Sequence, residues 1–178
     1  MNNTIYYGRS PNLDLSSTCC ITGHRSQKLS FGFNESHKDC IQLKSSIKSK
    51  IIDHVNCMVN IFITGMALGV DMLTAETVLD LKTDFNLQLV AAIPHIDQHK
   101  KWNAEYQTRY FEILSCYDIV YIVRDKYTKD CFQKRNEWMV DNSQYVIGVY
   151  DDSISSGSKN CINYAKKQHR IISIINTN

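Results

Sequence analysis

Six short apolar runs punctuate the chain, and segments of helical period separate them. The runs are Thr18 to Thr22 (TCCIT), Ile61 to Thr64 (IFIT), Leu87 to Ile93 (LQLVAAI), Ile119 to Val123 (IVYIV), Tyr145 to Tyr150 (YVIGVY) and Ile171 to Ile175 (IISII). Continuous apolar runs of this length suit strands covered on both faces. Between about 36 and 56, Cys40, Leu43, Ile47, Ile51 and Val55 recur at three- and four-residue steps. They make one stripe of a helix whose other face carries Lys44, Lys48, Lys50 and Asp53, with Asn34 or Ser36 as the cap. The spacing predicts further helices over about 70–84, 98–116, 132–142 and 158–168. Strands alternating with helices predict βαβ units, and right-handed crossovers turn these into an α/β fold. The expected form is a Rossmann-like, doubly wound, mostly parallel sheet sandwiched by helices. Pattern alone does not order the strands.

At 178 residues the chain is the size of one domain, with residues 1–17 read as a polar N-terminal extension and 18–178 as the single Rossmann-like unit. Lys and Arg total 20 against 18 Asp and Glu, a formal charge of +2. That balance excludes a basic nucleic-acid coat or a polybasic membrane anchor and leaves room for a local basic pocket. The seven cysteines are an odd number, fall mostly in apolar runs and form no C-x-x-C or zinc-finger spacing. No signal-peptide pattern opens the chain and no apolar run reaches membrane-spanning length. A cytoplasmic protein with no membrane partner is expected.

In open α/β sheets, ligands bind beyond the carboxyl ends of the strands. Thr22-Gly23-His24-Arg25 follows the first run, and Thr64-Gly65-Met66-Ala67-Leu68-Gly69-Val70-Asp71 follows the second and runs into a helix. Glycines allow close backbone approach, and a helix start offers free N–H groups to a phosphate. Neither loop is a Walker A or a G-x-G-x-x-G motif. Asp151 to Asn160 (DDSISSGSKN) follows the fifth run and is rich in small donors before a helix. Arg25, Arg124 and Arg135, with Asn136 beside the last, stand where guanidinium groups can take phosphate oxygens. His95 and His99, four apart after Pro94, lack a third ligand at a characteristic spacing, so no metal is expected. Trp102 and Tyr106 are read as core.

These stretches together resemble the SLOG superfamily, in its YpsA-like branch. The resemblance rests on Cys20-Ile21-Thr22-Gly23-His24-Arg25, on Thr64 to Asp71 with Ala75-Glu76 behind, and on Ile93-Pro94 with Gln98 and Trp102. It continues in Arg135-Asn136-Glu137-Trp138-Met139-Val140-Asp141 and in Tyr150-Asp151 with Gly157-Ser158 and Tyr164-Ala165, in the same order over about residues 18–175. Such a family implies a Rossmann-like fold that binds nucleotides or nucleotide-derived ligands. Its relatives include LOG phosphoribohydrolases, the DNA-processing protein DprA and immune sensor modules for cyclic or ADP-ribose-derived signals. The resemblance implies a pocket lined by Thr22, Gly23, His24, Arg25, Gly65, Met66, Ala67, Gly69, Asp71, Pro94, Arg124, Arg135, Asn136, Asp151, Gly157, Ser158 and Lys159.

One departure bears on activity. LOG hydrolases carry P-G-G-x-G-T-x-x-E, whereas this chain reads Ser155-Ser156-Gly157-Ser158-Lys159-Asn160, without the proline or a following carboxylate. Binding is therefore expected ahead of catalysis: a nucleotide, cyclic-nucleotide or ADP-ribose-like signal is sensed or sequestered, without a cofactor. The alternative is a nucleoside-monophosphate N-glycosidic hydrolase using Glu76 or Asp71. A further alternative, single-stranded DNA binding, is disfavoured by the charge balance, since tracking a backbone takes several clustered cations. The resemblance also implies a homo-oligomer.

Overall fold

A computed structural model describes residues 4–177. The strands are β1 (Thr4–Tyr7), β2 (Thr18–Gly23), β3 (Ile61–Thr64), β4 (Gln88–Ile93), β5 (Ile119–Ile122), β6 (Tyr145–Val149) and β7 (Ile171–Ile175). The helices are α1 (Lys38–Asn56), α2 (Val70–Leu81), α3 (Ala104–Ser115), α4 (Cys131–Asp141) and α5 (Gly157–Lys167). The strands form one sheet in the order β1-β5-β4-β3-β2-β6-β7, and every described pairing is parallel.

Neighbouring residues on the central strands feed opposite faces, as the two-residue period of a strand requires. Cys19, Phe62 and Leu89 join one apolar cluster with Ile47 of α1, Met72 of α2 and Ile113 of α3. Cys20, Ile63 and Val90 join the other, with Met139 of α4 and Ile162 of α5. Burial on both faces explains why these strands read as unbroken apolar runs. The α/β, doubly wound reading therefore holds. From β2 the chain winds outward through β3, β4 and β5, then crosses back to place β6 on the other side of β2. The reversal opens a crevice at the carboxyl ends of β2 and β6.

Three local features differ from the sequence reading. The opening segment, read as an extension ahead of the sheet, carries β1, which pairs with β5 from Thr4↔Ile119 to Tyr7↔Ile122. Its side chains are mostly exposed, as suits an edge strand with one neighbour. The third long helix starts at Ala104, capped by Asn103, whose side chain accepts a hydrogen bond from Tyr106 N; residues 95–102 form turns. The cap of α1 is His37, whose Nδ1 accepts from Asp39 N, in place of Asn34 or Ser36. All seven cysteines carry free thiols. Among the described residues no helix is long and apolar enough to cross a membrane.

Candidate functional site

The loop after β2 is pinned from two sides. His24 N donates to Val149 O of β6 at 3.0 Å, and Val70 N at the start of α2 donates to His24 O at 3.1 Å. That approach requires Gly23, because a Cβ there would lie 2.3 Å from Val70 Cγ1. It also requires Gly69, whose φ is +103° and whose Cβ would meet Ser26 N at 2.6 Å. His24 Nε2 accepts a hydrogen bond from Asp151 N at 3.0 Å, tying the loop after β2 to the loop after β6. An accepting Nε2 places the proton of the neutral ring on Nδ1, and that atom is buried without a partner. Burial holds the imidazole below its ordinary pKa, and the charge of Lys28 adds to the effect.

Beyond these strand ends lies a cavity of about 400 Å³. The end of β2 contributes Ile21, Thr22 and Gly23 to its wall, and the loop after it His24, Arg25, Gln27 and Lys28. The β3–α2 segment contributes Ala67 and Asp71; α4 contributes Phe132, Arg135, Asn136 and Met139; the start of α5 contributes Ser156, Gly157 and Ser158. The volume falls in the range of small-molecule sites.

At the wall Arg135 and Asp71 are both buried, with Nη1 3.5 Å from Oδ2. Asp71 Oδ2 also accepts from Ala67 N at 3.2 Å. Burial raises the Asp71 carboxyl above its ordinary value, while the cation of Arg135 and the Ala67 N–H pull it back. Arg135 Nε and Nη1 make no hydrogen bond. Buried donors without acceptors are costly, so the long Asp71 contact leaves this guanidinium with hydrogen-bonding capacity unused.

Two further cations reach the same cavity. The Arg25 guanidinium lies over the Phe132 ring, with Cζ 5.1 Å from the centroid. Lys28 Nζ donates to Ser155 O at 2.7 Å, linking the loop after β2 to the approach of α5. Helix α5 begins at this wall: Ser156 caps it by accepting from Lys159 N, and Asn136 Nδ2 donates to Gly157 O at 3.4 Å. The first-turn N–H groups of a helix have no intrahelical acceptor and carry the positive end of its dipole. Together with the buried Ser158 and the guanidinium groups, they form a surface complementary to a phosphate.

The structure thus gathers Thr22, Gly23, His24, Arg25, Ala67, Asp71, Arg135, Asn136, Gly157 and Ser158 around one cavity. The other residues picked from sequence stand outside its lining. Gly65 and Met66 are buried behind the wall, and Gly69 caps α2. Pro94 is buried at the end of β4, and Arg124 is exposed beyond β5. Asp151 Oδ1 accepts from Ser153 N, which holds its own turn. Lys159 Nζ is taken by Asp152, 2.6 Å from the carbonyl oxygen and 3.5 Å from Oδ1. Glu76 forms a two-pronged pair with Arg109, Oε1 to Nε at 2.8 Å and Oε2 to Nη2 at 2.7 Å. Arg109 also binds Glu35, which is paired with Lys44. Glu76 is therefore part of a surface ion network that joins α2, α3 and the loop ahead of α1.

Ile21, Gln27, Lys28, Phe132, Met139 and Ser156 line the cavity as well, beyond the residues expected there. Ser156 carried a readable signal, a serine three residues before Lys159 at a helix start. Lys28 and Phe132 carried none, because each reaches the cavity through a fold-level juxtaposition. Among the described residues no group of His, Cys, Asp and Glu is arranged to hold a metal. The ring of His99 stacks on Tyr110 at 5.2 Å, and that of His95 meets Tyr127 and Phe132 edge-on.

A family model described as the YspA SLOG family matches residues 19–176. The prophage-derived protein YoqJ of Bacillus subtilis strain 168 is 37% identical over 121 residues, covering 61% of this chain and 70% of that protein. A UPF0398 protein of Macrococcus caseolyticus is 28% identical over 141 residues, 78% of this chain and 76% of the relative. Another, of Brevibacillus brevis, is 27% identical over 142 residues, 78% and 75% respectively.

Proposed function

This chain belongs to the YspA SLOG family, and from that membership and the cavity we propose that it binds a phosphorylated nucleotide or a nucleotide-derived signal, cyclic or ADP-ribose-like, as a sensor or sequestering protein. The observation that carries the reading is the buried Arg135 guanidinium. Arg135 lines a cavity that also receives the start of α5, is held at 3.5 Å from Asp71 Oδ2, and has Nε and Nη1 without hydrogen bonds. A phosphate there takes the free first-turn N–H groups of α5 and the Ser158 hydroxyl, and sets an anion beside the Arg135–Asp71 pair. Arg25 and Lys28 close the charge around it. The partner in this reading is a small molecule, with no nucleic acid or membrane involved.

Titration calorimetry against nucleoside mono- and diphosphates, cyclic nucleotides and ADP-ribose tests the reading. Binding in the micromolar range is expected, weakened about 10-fold or more by Arg25→Ala through loss of a charge-assisted contact. Absence of heat at high micromolar concentrations, with Arg25→Ala indistinguishable from the parent, overturns it.

A hydrolase acting on nucleoside monophosphates is the second reading, and one observation favours it. Asp71 lines the cavity with its carboxyl raised by burial, the condition in which an acid can hand a proton to a leaving group. Release of free base that disappears in Asp71→Asn supports this reading. Absence of product from every nucleotide tried removes it.

A further inference from the structure

Phe132 is shared between the anion cavity and a second cluster of rings. It stands in the first turn of α4, lines the cavity and lies beneath the Arg25 guanidinium. It also meets His95 edge-on, with centroids 5.9 Å apart, and Tyr127 at 6.4 Å. His95 and Tyr127 close the triangle at 5.6 Å and 82°. The three residues come from different places: His95 from the turn after β4, Tyr127 from the loop after β5, Phe132 from α4. All three lie toward the carboxyl edge of the sheet, where ligands bind in this architecture.

Two features set this cluster apart from ordinary packing. Tyr127 is 62% exposed, so a large flat ring is held against the cluster and left open to solvent. His95 is only 7% exposed, yet its Nδ1 is buried without a hydrogen-bond partner. A ring nitrogen in that state is an unused polar contact, since buried polar atoms are ordinarily satisfied. An exposed aromatic face, a cation–π pair and an unpartnered imidazole nitrogen fit a flat heteroaromatic ring with polar edges. An aliphatic or purely anionic group uses only part of that set.

We propose that Tyr127, Phe132 and His95 form a base subsite, continuous with the anion cavity through Phe132, that stacks the nucleobase of the bound nucleotide. The inference rests on the nucleotide-binding reading above and deepens it. The phosphate end sits at α5 and Arg135, and the base points toward the ends of β4 and β5. Stacking on an aromatic side chain is tolerant of base identity, so the subsite distinguishes nucleotides from base-free sugar phosphates more than one base from another.

Calorimetry with AMP, cyclic AMP and ADP-ribose, and with ribose 5-phosphate as the base-free control, tests the subsite. In the parent protein at least one nucleotide is expected to bind about 10-fold or more tighter than ribose 5-phosphate. Tyr127→Ala should erase most of that margin and leave ribose 5-phosphate affinity unchanged, and Phe132→Leu should erase most of it as well. Tyr127 is mostly exposed, so its variant is read without concern for folding. Survival of the full margin in both variants overturns the subsite and leaves the nucleotide-binding reading intact. Equal binding of nucleotides and ribose 5-phosphate to the parent overturns it too, and restricts the cavity to sugar phosphates. If none of these probes binds, both inferences fall.

Discussion

Gly65 and Arg135 compete for one volume: a Cβ on the glycine would lie 1.3 Å from Arg135 Nη1 and 2.8 Å from Asp71 Oδ2. The first glycine after β3 thus serves the site by what it lacks. Its missing side chain is the space in which a guanidinium, 70 residues further along, lies beside a buried carboxyl.

Gly65→Ala should displace Arg135 and disturb its contact with Asp71. Overpacking of this kind typically costs about 1–3 kcal/mol. A urea titration is expected to show a lower midpoint at unchanged slope, and calorimetry a loss of nucleotide affinity of about 10-fold or more, as the role proposed for Arg135 requires. A variant with parental stability and affinity would show that Arg135 has room elsewhere.

Ser156 caps the helix that begins at the cavity, accepting from Lys159 N at 3.2 Å. Ser156→Ala should cost about 1 kcal/mol of stability. Fraying of the first turn should also weaken nucleotide binding several-fold, whereas Ser156→Asp should keep the cap but repel the phosphate. Thermal melts and calorimetry on the pair separate the two effects.

His24 gives stability a pH dependence of definite sign. Its folded-state pKa lies below the ordinary value, chiefly because the ring is buried. In the unfolded chain the imidazole takes up its proton at about pH 6.5, ahead of the folded protein. The contribution is therefore complete above that pH and is lost as pH falls through the lower folded pKa. Protonation also removes the acceptor for Asp151 N. His95 and His99, lowered by burial as well, act in the same direction. Denaturation midpoints measured from pH 8 down to about pH 5 should fall, and fall less steeply in His24→Gln. Equal slopes in the two proteins would remove His24 from the account.

The Glu76–Arg109 pair predicts a separation of stability from activity. It is partly exposed, with Arg109 bridging Glu76 and Glu35. Arg109→Ala and Glu76→Gln should each cost about 1 kcal/mol or less and leave nucleotide affinity within about two-fold. A large loss of ligand binding or of base release in Glu76→Gln at parental stability would return Glu76 to the site.

Much of the site was legible because the fold constrains where ligands bind. Once β2 and β3 are recognised as strands, the segments after them must stand at one sheet edge, which brought Thr22 to Arg25 and Asp71 into view. The start of α5 was legible through the small residues ahead of it. Lys159 and Glu76 misled for a shared reason: a charged side chain reads the same in sequence whether it faces a ligand or a neighbouring side chain. Lys159 is held by Asp152 seven residues back, and Glu76 by Arg109, 33 residues on. Phe132 and Lys28 were invisible for the complementary reason, since helix-start and loop positions say nothing about what lies across a crevice.

The sequence by itself determined the alternation of strand and helix, the burial of the sheet on both faces and the loops that carry small and cationic residues. Each of these is a property of neighbours along the chain, expressed as a period of two or of three to four residues and interrupted by glycine and proline. The tertiary structure decided the strand order, the recruitment of β1 to the edge and the pairing of Arg135 with Asp71. It also decided which cations line the cavity. These depend on contacts between segments as far apart as Lys28 and Ser155, separated by 127 positions. No local period records such contacts, because only the winding of the sheet about β2 brings those segments to one crevice.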